Sequence, residues 1–69
     1  MELAEHHPRH HTRKVEQRLQ ETIDHLREDV DKIEDPQAKA MFETSAEVLG
    51  GLLKAFHDYD SKTESAWRA

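Results

Sequence analysis

The sequence contains no cysteine. That excludes disulfide staples, thiolate metal centres and a cysteine nucleophile together. Glycine and proline occur only twice each, so few points can break a regular element. Aromatic residues make up 6% of the chain, which limits the size of any core they could fill. Apolar runs are short, as in Val48-Leu49 and Leu52-Leu53. No segment reaches the roughly 20 apolar residues that a membrane-spanning helix needs. The opening MELAEHH has no apolar stretch of the kind a secretory signal carries. A cytoplasmic location is the expectation that follows, with no membrane partner.

Charge is what the chain has in plenty. Charged residues are 36% of its 69 positions, with a formal net charge of −5. An acidic balance disfavours nonspecific binding to nucleic acid. The charge is unevenly placed. Residues 9–18 hold Arg9, Arg13, Lys14 and Arg18 against Glu16 alone, whereas residues 20–35 hold seven acids against Arg27 and Lys32. A chain of this length forms one domain with a small margin of stability. Without cysteine, the remaining ways to reinforce it are a metal or oligomerisation.

Residues 1–11 show no periodicity and contain Pro8, and read as a flexible His-rich tail. Thr12 suits the N-cap of a helix over 13–34, within a hairpin over 12–60. The apolar positions Val15, Leu19, Ile23, Leu26, Val30 and Ile33 step by 4, 4, 3, 4 and 3. They fall within an arc of roughly 80° on a helix. Asp35-Pro36 then stops the helix, because proline excludes helical dihedrals from the residue before it. Asp35 suits an N-cap and Pro36 the first position of a second helix over 36–60. So short a break folds the helices back as an antiparallel hairpin. Residues 61–69 read as a short C-terminal turn or tail, with the capping-box spacing Ser61 to Glu64 and Trp67 able to pack back.

The second helix is the greasier. Ala38, Phe42, Ser45, Leu49, Leu52, Phe56 and Tyr59 recur at alternating steps of 4 and 3, a heptad seam. With Met41, Val48 and Leu53 beside it, the large apolar residues cover roughly 140°. A narrow stripe cannot shield so wide a face. The expected architecture is therefore all-α, an antiparallel helical hairpin that dimerises into a four-helix bundle. The interface residues expected are Met41, Phe42, Val48, Leu49, Leu52, Leu53, Phe56 and Tyr59. Gly50 and Gly51 interrupt this helix at about 1 kcal/mol each. Ala46 and Gly50 form a small-xxx-small pair that would admit close approach of a helix or ligand.

Several side chains could carry chemistry. His6, His7, His10 and His11 place four imidazoles within six residues, and imidazole is the commonest ligand for divalent transition metals. His25 has Glu21, Glu28 and Asp29 one helical turn away, and His57 lies beside Asp58 and Asp60. A divalent metal is the cofactor these six histidines could take; solvated ion pairs are the plainer reading. No nucleophile or phosphate loop accompanies them, so an enzyme is not expected.

The stretch Asp35-Pro36-Gln37-Ala38-Lys39-Ala40-Met41-Phe42-Glu43, continuing to Glu47, resembles the start of the second helix in ferritin-like and rubrerythrin-like hairpins. In those families a glutamate is followed three residues later by a metal-binding histidine. Here Glu47 is followed by Gly50, so the resemblance implies the hairpin and not the di-iron ligands. The chain also resembles small bacterial helical-hairpin proteins of uncharacterised function. In size and topology it is similar to the acidic, plasmid-encoded RNA-binding hairpin dimers. The leading expectation is a homo-oligomeric interaction, adaptor or small regulatory protein, partnered by itself or another protein. The alternatives are a metal-binding bundle using the N-terminal histidines, and RNA or DNA binding through Arg9, Arg13, Lys14 and Arg18.

Overall fold

A computed structural model describes residues 8–61. They form two helices, α1 (Pro8–Val30) and α2 (Pro36–Ser61), and no strand. The helices pack against each other as an antiparallel hairpin. Its thinnest dimension is 14 Å, about the diameter of one helix with its side chains. A hairpin is a single layer, so each side chain has its own helix and one neighbour to shelter it.

Among the described residues α1 already includes Pro8, ahead of the Arg13 start expected from periodicity. The four residues after Pro8 are polar but carry no breaker, so the helix extends. Thr12 is therefore inside α1 and does not cap it. Its hydroxyl approaches the Arg9 carbonyl at 3.2 Å and Asp60 Oδ1 at 2.8 Å. One hydroxyl has one proton, and the shorter contact to Asp60 takes it.

At the other end α1 stops at Val30, short of the expected Glu34. Asp29, Asp31, Glu34 and Asp35 crowd this end, where the helix dipole is negative and disfavours acids. A single turn follows, with Lys32 N–H donating to the Asp29 carbonyl at 2.9 Å. Residues 31–35 then carry the chain across to α2, and Ile33 stays half-buried in the link.

The start of α2 is as Asp35-Pro36 predicts. Asp35 Oδ1 and Oδ2 accept from the N–H groups of Gln37 and Ala38 at 3.4 and 3.3 Å. Lys39 N–H donates to the Asp35 carbonyl at 2.9 Å. The core between the helices is small. Ile23, Ala46 and Leu53 are 7%, 1% and 9% exposed, with Leu19, Leu26 and Leu49 packed against them. Ala46 is the most completely covered of these residues, and its methyl group lets α1 come close.

Candidate interaction surface

The wide apolar face of α2 is divided in two. The side carrying Ala46, Leu49 and Leu53 packs on α1. Leu53 thus belongs to the hairpin's own core, where the sequence pattern had assigned it to an interface with another chain. The other side stays in solvent: Met41 is 60% exposed, Val48 59% and Leu52 47%. At about 100° per residue these three lie within roughly 40° of one another. Ala55 and Tyr59, half-buried, continue the line toward the end of α2. On α1, Val15 is 40% exposed.

The groove between the helices runs along this stripe. One shallow hollow is lined by Thr22, Leu26, Ser45, Val48 and Leu49. A second is lined by Thr12, Ala55, Phe56 and Tyr59, with an apolar lining throughout. Phe42 and Phe56, also expected at an interface, are half-buried between the two sides. The surface offers apolar side chains with the hydroxyl residues Thr12, Thr22, Thr44 and Ser45 among them and no charged group lining either hollow, so it suits a helix better than a charged small molecule.

The close approach expected at Gly50 is absent within the hairpin. No atom lies within 4 Å of where a Cβ would sit on Gly50 or on Gly51. Of the small pair, only Ala46 is pressed against α1. Nothing within the described hairpin explains Gly50.

A polar cluster closes the open end of the hairpin. His57 Nε2 lies 2.9 Å from Glu16 Oε1. Arg9 donates to the Asp60 backbone carbonyl at 3.0 Å, beside the Thr12 hydroxyl on Asp60 Oδ1. The carboxyls of Glu16 and Asp60 are within hydrogen-bonding reach of each other. Two carboxylates cannot hydrogen-bond without a proton between them. Of the two, Glu16 is the carboxyl that keeps its proton more readily. Burial, the bond to Asp60 and the Asp60 charge push its carboxyl above its ordinary value, against the pull of His57 and Arg13. Its side chain is 13% exposed, and Oε2 is buried without a donor. Protonation turns that carboxyl into a donor. For Asp60, burial pushes upward, but bonds from Glu16 and Thr12 with the Arg9 and Arg13 charges take it below its ordinary value.

Glu16 was not singled out from the sequence, and Thr12 was expected as an N-cap and not as a partner of Asp60. The signal for them was the turn itself. Once the chain reverses at Asp35-Pro36, position 12 falls opposite 60 and position 16 opposite 57. His57 was expected beside Asp58 and Asp60, but its partner is across the hairpin. Asp58 pairs with Lys54 at 2.6 Å.

The other histidines are dispersed. His6 and His7 lie outside the described residues. His10 and His11 are in α1, with their rings edge to face at 5.2 Å. His25 is exposed, 3.5 Å from Asp29. It shares a shallow hollow with Glu21, Leu26 and Phe42. Among the described residues no three histidine or acidic side chains are grouped closely enough to hold a metal ion. Nor is either described helix long and apolar enough to cross a membrane. No protein-family model, curated protein or solved structure matches the chain.

Proposed function

We propose that this chain is a self-associating helical hairpin, an interaction or small regulatory protein that works as a four-helix bundle of two copies. The observation that carries this reading is the second stripe of α2. Met41, Val48 and Leu52 stand in water in one line, on a hairpin whose core has three buried residues among those described. Full burial of a large apolar side chain is worth roughly 1.5–3 kcal/mol. Covering the exposed portions on both copies is then worth on the order of 10 kcal/mol before association costs. Association costs of at least about 4 kcal/mol leave no more than about −6 kcal/mol, a dissociation constant of tens of micromolar or weaker.

The test is solution mass against concentration. Sedimentation equilibrium should show the mass rising toward twice 8.1 kDa through the micromolar range. Leu52→Glu should hold it at the monomer value while the helical circular dichroism of the hairpin is kept. A wild-type chain that stays monomeric at high micromolar concentration overturns the proposal.

A further inference from the structure

The exposed stripe of α2 has a symmetry of its own. Met41, Ser45, Val48, Leu52, Ala55 and Tyr59 step by 4, 3, 4, 3 and 4. Taken from its two ends inward, it pairs Met41 with Tyr59, Ser45 with Ala55, and Val48 with Leu52. Each pair matches large with large or small with small, and each is centred on position 50. We propose that the occupant of this face is a second copy laid antiparallel, α2 across α2, with the two-fold axis passing between Val48 and Leu52 at the level of position 50. The inference rests on the self-association reading above and adds its orientation and register.

Matched sizes alone would also allow a parallel arrangement, in which every residue meets itself. Charge decides between them. A two-fold axis crossing the helices stacks α1 on α1 as well as α2 on α2, each pair reversed. The first half of α1 carries Arg9, Arg13, Lys14 and Arg18 against Glu16. Its second half carries Glu21, Asp24, Glu28 and Asp29 against Arg27, and the link adds further acids. Reversal lays the basic half of one α1 along the acidic half of the other. An axis running along the helices would instead set that acidic half beside the first half of α2, where Glu43 and Glu47 outnumber Lys39. Opposed potentials of this kind favour one docking orientation and penalise the other.

The apolar lengths agree with the same choice. α1 offers Val15 as its one exposed large apolar residue among those described. Only another α2 supplies a stripe as long as Met41 to Tyr59. Gly51 flanks this stripe at its midpoint and has open space around its Cβ position.

Because the chain has no cysteine, single cysteines report the register directly. A disulfide needs Cα atoms within about 7 Å. Val48→Cys mixed with Leu52→Cys, the pair nearest the axis, should oxidise to a species of twice 8.1 kDa. Met41→Cys should remain at 8.1 kDa by itself and cross-link when mixed with Tyr59→Cys. Self-cross-linking of Met41→Cys would show a parallel stack, overturning the register and leaving self-association standing. A dimeric mass with no cross-link in any of these variants also overturns it. A monomeric mass in sedimentation removes both proposals.

Discussion

Glu16 sits where a carboxylate is poorly solvated, against a second carboxyl and a histidine. Its raised value means that the hairpin prefers it protonated. The stabilisation this provides is complete below its unfolded value near 4.5 and is lost as pH rises through the raised folded value. Asp60 runs the other way. Its contribution is complete above its unfolded value near 3.8 and is lost as pH falls through the lowered folded value. The pair together contributes most between those two limits. Thermal melts from pH 4 to 7 should therefore show the wild type losing stability relative to Glu16→Gln, which keeps a neutral donor at all pH values. Parallel pH curves for the two proteins would contradict the assignment. Thr12 supports the same cluster. Removing its hydroxyl in Thr12→Val deletes one hydrogen bond to Asp60 and should cost about 1 kcal/mol in urea titrations.

At the scale of the helix, Asp35 and the division of α2 give the clearest expectations. Asp35 satisfies two N–H groups that would otherwise be orphaned at the start of α2. Asp35→Ala should cost about 1 kcal/mol in chemical denaturation. Leu52 and Leu53 are neighbours in sequence and opposite in role. Leu53→Ala opens a cavity against Ile23 and Ala46, and should cost roughly 2–4 kcal/mol, enough to unfold much of so small a domain. Leu52→Ala should leave the dilute hairpin within about 0.5 kcal/mol of wild type and weaken association instead. Equal losses for both variants at high dilution would mean that the two stripes are not distinct.

For the whole molecule, the governing fact is the thinness of a two-helix layer. Among the described residues three fall below a tenth of their full exposure, and a core that small leaves little free energy after chain entropy is met. Docking a second layer adds a face to each helix. It also couples folding to concentration, so the thermal midpoint should rise as protein concentration rises. A midpoint independent of concentration over two decades would speak against the assembly. Since opposed halves of α1 steer the proposed orientation, association should weaken with added salt as the charges are screened.

Much of this protein is determined by its sequence alone. The helical period of α1, the heptad steps of α2 and the Asp35-Pro36 break specify two helices folded back on each other, because these signals act within a turn or two of chain. The helix ends were less legible. Residues 8–12 show no apolar period, and only the formed helix shows that they belong to α1. The crowded acids after Val30 end α1 early through a field that periodicity does not register. What tertiary structure alone decided is the rotation of α2 about its axis. A face of roughly 140° is wide enough to meet α1 along several lines. Packing chose the line through Ala46 and Leu53, since the smallest residue there permits the closest approach. That choice left Met41, Val48 and Leu52 outside, and it set Glu16 against His57 and Asp60 across the open end.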